Sequence, residues 1–228
     1  MTAALTCHNL KVAFPLGNGK KRVVLNKLNA TFPAGRISIV SGAIGAGKST
    51  LLNVLAGLLR PTSGEVRAND QAVSRWRGVH RDHWRQRVGI IFQHHHLLYG
   101  YTVLENIMLP LIPRIRTLSA CRRKSIAVLQ QVDLLRCAGD LVNTLSGGEK
   151  QKTAIARALV TQPLFVLADE PTAHQDDESA EIVLNLLDQC AARKAVVIVA
   201  THETQAQAFP GKPLRFRLES GILNPLAS

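Results

Sequence analysis

Aromatic residues are scarce in this sequence, at 4% of 228 positions, and charged residues reach only 19% against 46% hydrophobic. That apolar share, with 16 Gly and 10 Pro, excludes collagen-like, low-complexity and disordered chains. Long apolar runs are missing. Stretches such as Ala195–Ala200 are far too short to cross a bilayer. Residues 1–10 hold no basic segment followed by an apolar run, so no signal peptide is expected and the chain reads as soluble and intracellular. Cys7, Cys121, Cys137 and Cys190 are scattered and form no CxxC pair. Structural zinc needs close ligand pairs and a disulfide framework belongs to smaller secreted chains, so buried free thiols are expected. Acidic residues are the minority: 16 Asp+Glu against 28 Lys+Arg give +12, before eight His are counted. That excess suits a nucleic acid, an anionic membrane surface or a phosphate ligand, and the total alone does not choose among them.

No repeat and no Gly/Ser or charge-run linker divides residues 1–228, which reads as a single domain. The first fifteen residues and Leu25–Phe32 are strand-like. The β-branched run Arg36–Ser41 is a buried strand stopping at Gly42, and Lys48–Leu59 carries helical apolar spacing up to Pro61. Strand, helix and strand return at Leu164–Ala168, Glu178–Lys194 and Ala195–Thr201. The alternation predicts an α/β fold, a mainly parallel sheet with helices on both faces. Residues about 95–160 are poor in strand signals and rich in helical ones, so they read as a helical insertion in that core.

The residues Gly42-Ala43-Ile44-Gly45-Ala46-Gly47-Lys48-Ser49-Thr50 fit G-x-x-x-x-G-K-[ST], between a strand and a helix. Glycines let successive N–H groups face an anion, and the helix N-terminus adds its positive dipole. Lys48 can reach β- and γ-phosphates, and the Ser49 hydroxyl can ligate Mg²⁺. Asp169 and Glu170 end a hydrophobic strand and point beyond the sheet edge where that loop also lies. Asp169 can hold Mg²⁺ through water, and Glu170 can orient or deprotonate the attacking water. Together these elements signal a nucleotide hydrolase. Ser146-Gly147-Gly148, opening a helix at 150–160, makes another anion cradle. One chain does not need two γ-phosphate cradles unless the second serves a partner's nucleotide.

The ordered set resembles the ATP-binding cassette (ABC) ATPases over nearly the whole length: Phe14, the 42–50 loop, Gln93 after the strand Val88–Phe92, LSGGE at 145–149, Asp169-Glu170, Asp176 and His202. The resemblance implies a P-loop nucleotide-binding domain of ABC type with an antiparallel β subdomain, and ATP and Mg²⁺ as ligand and cofactor. It implies a head-to-tail homodimer, each ATP lying on one subunit's 42–50 loop and under the other's Ser146, Gly147, Gly148 and Glu149, with Asp176 also in trans. Phe14 would stack on adenine. Gln93 would touch Mg²⁺ and water, Glu170 would be the general base, and His202 would contact the γ-phosphate. Catalysis of this kind is positioning and charge stabilisation.

The stretch Val88–Leu111 is similar to the transporters that release lipoproteins (LolD-type) or export macrolides (MacB-type), and to the cell-division (FtsE-type) group. The expected partner is a separate transmembrane permease, and the expected location the cytoplasmic face of the inner membrane, peripherally bound. Two departures from the family pattern are Lys150-Gln151-Lys152 in place of Gln-Gln-Arg, and Gln175 where Leu is usual. His94-His95-His96 cannot easily aim three rings at one ion, so an interface loop is favoured over a metal site. The cluster Arg75, Arg77, Arg81, Arg85 and Arg87, interleaved with Trp76 and Trp84, resembles a nucleic-acid patch; a solvated face, close to anionic lipid, is favoured, and no nucleic acid partner is expected. Only 97 residues separate Lys48 from Ser146, which leaves no room for the long insertion of DNA-repair members, and the single cassette is unlike ribosome-acting members. A regulatory ATPase of the cell envelope or the cell-division machinery stays open beside the transport motor.

Overall fold

The computed structural model describes residues 4–17, 19–173, 175–202, 206, 207, 209 and 212–226. The first three residues of the expected N-terminal strand lie outside them. In chain order the elements are β1 (Ala4–Pro15), β2 (Lys21–Pro33), β3 (Ile37–Ser41), α1 (Lys48–Leu55), β4 (Ser63–Ala68), α2 (Val79–Gln86), β5 (Val88–Ile91), α3 (Val103–Met108), α4 (Leu118–Gln131), α5 (Gly147–Leu159), β6 (Phe165–Asp169), α6 (Asp177–Ala192), β7 (Val196–Thr201), β8 (Leu214–Glu219) and β9 (Ile222–Pro225). A six-stranded sheet has the order β5-β6-β7-β3-β8-β9, parallel throughout except for the β8–β9 hairpin. A second sheet, β2-β1-β4, is antiparallel.

Strand alternation explains why the large sheet is apolar on both faces. Successive side chains of a strand point to opposite sides. In β7, Val196, Ile198 and Ala200 enter one core with Val40, Phe165 and Leu167, against α1 and the antiparallel sheet. Val197 and Val199 enter the other with Ile39, Val166 and Ala168. That second core is continuous with the buried side chains of α3, α4 and α5: Ile107, Cys121, Leu129 and Ile155 belong to it. All four cysteines are buried and free.

Two sequence expectations shift. The helix expected to run to Leu59 closes at Leu55, because Gly57 turns at φ +71° and the amides of Leu58 and Leu59 fold back onto the Asn53 carbonyl. A Cβ at Gly57 would lie 2.9 Å from the Trp84 ring. Trp84 is 1% exposed, its indole N–H donating to the Leu55 carbonyl at 3.1 Å and its ring 4.7 Å from Phe165. The tryptophan that alternates with arginines in sequence therefore anchors the end of α1 rather than forming a surface stacking platform. Arg85 donates to the Gly57 carbonyl, and Arg75 pairs with Glu65 at 2.8 Å.

Candidate active site

β3 is buried along its whole length and delivers the chain to Gly42, packed against the β8 backbone. A Cβ on Gly42 would stand 2.5 Å from the Leu218 carbonyl oxygen, so only glycine fits. Gly47 caps α1 at φ +106°, in the left-handed region that glycine enters freely. The loop between them closes through Ala46 N–H donating to the Ala43 carbonyl, and the positive end of α1 faces its interior.

Lys48, in the first turn of α1, is only 7% exposed. Its ammonium donates to the Gly42 carbonyl at 2.7 Å and lies 3.8 Å from Glu170 Oε1. Glu170, 5% exposed, follows β6 with a left-handed backbone at φ +49°. Its Oε1 stands 3.2 Å from His202 Nε2, and its Oε2 accepts from the Thr201 hydroxyl at 3.1 Å. The carboxylate is thus held between an ammonium, an imidazole and a hydroxyl. Beside it, burial pushes the Asp169 carboxyl above its usual range, against the opposing pull of the Ser49 hydroxyl it accepts from and of the Lys48 charge.

A cavity of about 510 Å³ gathers Phe14, Ala43, Ile44, Gly45, Gly47, Lys48, Ser49, Thr50, Gln93, Asp169, Glu170 and His202. Gly42 and Ala46 line an adjoining groove between β2 and the β8–β9 hairpin. Leu16, Arg22 and Val24 also line the cavity, and sequence reasoning missed them. Arg22 is there because β1 and β2 pair Phe14 with Arg22. The detectable signal was hairpin register, not a motif.

Ser146, Gly147, Gly148, Glu149 and Asp176 do not line this cavity. Ser146 and Glu149 form a capping box on α5, each side chain bonded to the other's backbone N–H. The hydrogen bonds from Ser146 hold the Glu149 carboxyl below its usual range. Asp176 caps α6, and the Ser179 N–H donating at 2.7 Å lowers its carboxyl likewise. A Cβ at Gly147 or Gly148 would meet nothing within 4 Å.

A glycine-rich anion loop, a buried lysine and two consecutive carboxylates at the end of one buried strand define a P-loop nucleotide hydrolase. The ABC transporter family matches residues 25–173. This chain belongs to that family and is an ABC-type ATPase. It is 39% identical over 229 residues to the lipoprotein-releasing system ATP-binding protein LolD of Saccharophagus degradans, covering 98% of this chain and 97% of that one. To LolD of Psychrobacter arcticus it is 37% identical over 220 residues, covering 95% and 97%. The bacterial ABC transporter cassette MJ0796, solved as a dimer, superposes with a TM-score of 0.90 at 29% identity, covering 98% of this chain and 99% of that one. The same cassette has been solved in a post-hydrolysis state bound to ADP and Pi.

Proposed function

We propose that this chain is the motor subunit of an ABC transporter of the lipoprotein-releasing kind, pairing head to tail with a second copy on ATP and driving a separate membrane permease. The observation that carries the pairing is the pair Gly147 and Gly148. Both stand in the first turn of α5, where alanine is the better helix former, and no neighbour among the described residues requires glycine at either position. A ligand arriving from outside does: the phosphates of an ATP held on the other copy's 42–50 loop. The dimeric state of MJ0796 and the naming of the LolD relatives support the reading.

In this reading the backbone N–H groups of 42–50 cradle the phosphates, Lys48 turns from the Gly42 carbonyl to the β- and γ-oxygens, and Phe14 stacks on the base. Glu170 accepts the proton of the attacking water, positioned by the Thr201 hydroxyl and by His202, which contacts the γ-phosphate. Ser49, Asp169 and Gln93 present only oxygen ligands, and Asp169 is a buried carboxylate; that set fits Mg²⁺. Mg²⁺ held by these residues would supply charge neutralisation at the phosphate oxygens. Leu98, Tyr99, Tyr101 and Ile112, exposed beyond Gln93, supply the apolar surface for the permease. No helix among the described residues is long and apolar enough to cross a membrane; in this reading the permease holds the chain at the cytoplasmic face of the inner membrane, as the likeness to LolD supports.

The test is the mass of Glu170→Gln in solution. With Mg-ATP it is expected to double, and with Lys48→Ala added it is expected to stay monomeric. A Glu170→Gln protein that binds ATP yet remains monomeric at high concentration overturns the paired arrangement.

A further inference from the structure

The loop after Gln93 is fastened to α5 by one half-buried guanidinium. Arg157 donates through Nη2 to the His95 carbonyl at 2.9 Å and through Nη1 to the His96 carbonyl at 2.8 Å. His96 holds a left-handed backbone, φ +46°, which L side chains disfavour and which persists only where surroundings impose it. Leu97 packs with Val142 and with Ala154, also on α5. The same helix carries Gln151, buried, whose amide donates to the Pro171 carbonyl at 3.0 Å, one residue past Glu170. One helix, opening at the Ser146 cap, thus grips by side chains the segments that follow Gln93 and Glu170.

We infer that Arg157 is a positioning residue: it ties the segment after Gln93 to α5, so that the place of Gln93 and the presentation of Ser146 change together. The fork is what makes this possible, because a planar guanidinium bonds two successive carbonyls at once and fixes their relative orientation. The inference rests on the roles proposed above for Gln93 and Ser146.

The experiment is a double-mutant cycle on ATP hydrolysis by the full chain, comparing Gln93→Ala, Arg157→Gln and the two together, with the affinity of a fluorescent ATP analogue measured for each. Arg157→Gln is expected to lower kcat about tenfold, leaving KM and analogue affinity within about twofold. Because Arg157 acts through Gln93, the double variant is expected to be no slower than Gln93→Ala alone. Arg157→Lys, with donors but no fork, should fall between wild type and Arg157→Gln; it carries the cycle should Arg157→Gln not fold. Losses that multiply in the double variant, or a wild-type kcat for Arg157→Gln beside a slow Gln93→Ala, overturn the inference while leaving the site reading intact. A wild-type kcat for Gln93→Ala overturns the site reading itself, and this inference with it.

Discussion

Gly42 and Gly47 answer to neighbours in their own chain, the Leu218 carbonyl and the Val24 side chain, whereas Gly147 and Gly148 face nothing within 4 Å. The carboxylates of the two regions differ in the same sense. Asp169 is buried and its carboxyl is pushed up; Glu149 and Asp176 are satisfied by helix-capping N–H groups and lie below their usual range. In the first region the glycines follow from the packing of their own chain. The second is already content as a surface, and the reading proposed above assigns its glycines to a partner's nucleotide.

Gly148→Ala should split activity from stability more widely than any other change. ATP hydrolysis is expected to fall about a hundredfold, while Tm rises by roughly 2 °C as the helix loses a glycine. Calorimetry beside a phosphate-release assay measures both. A variant that is slower and also less stable would place Gly148 among the internally required glycines and end the contrast.

Gly42→Ala should behave in the opposite way. Its Cβ must push the β8 backbone aside, at a cost of about 2 kcal/mol, and a thermal melt should show a fall of roughly 4–8 °C. An unchanged Tm would mean that the loop relaxes freely and that its glycines are no more constrained than those of α5.

The smallest effect is electrostatic. A carboxyl raised on folding gives stability that is fully present below its unfolded pKa and lost as pH rises through the folded value, so the ionised Asp169 opposes folding at neutral pH. Glu149, lowered on folding, contributes stability above its unfolded pKa that is lost as pH falls. Without nucleotide, Asp169→Asn should therefore raise Tm at pH 7 and make no difference near pH 3, and Glu149→Gln should lower Tm at pH 7. Denaturation followed across that pH range decides the signs; equal signs at pH 7 would remove the electrostatic half of the comparison.

Legibility in the sequence followed side-chain environment. β6 and β7 could be read directly because strands buried on both faces are uninterrupted apolar runs. β4, reading Ser-Gly-Glu-Val-Arg-Ala, resembles loop from its composition, whereas β8, reading Leu-Arg-Phe-Arg-Leu-Glu, alternates apolar and charged residues as a half-buried strand does. Trp84 looked like part of a basic surface because α2 buries no other residue, and a single inward side chain makes no periodicity. At the site, residues in contiguous motifs were visible. Arg22 is brought to Phe14 by strand pairing, and Arg157 to His95 across 62 positions of chain. The first is carried by hairpin register and the second by long-range packing, and neither forms a contiguous motif.

The left-handed backbone at Glu170 has a consequence for protein engineering. A glutamate there sits in a conformation that glycine or asparagine adopts more readily, at a difference of about 1 kcal/mol. A library of variants sorted only for heat tolerance would weigh that strain against the bonds of Glu170 to Lys48, Thr201 and His202, and would keep any replacement at the position proposed as the base that came out ahead. The survivors would be well folded, easily purified and idle. Selection for a tougher form of this protein has to score turnover in every round, or leave position 170 out of the library.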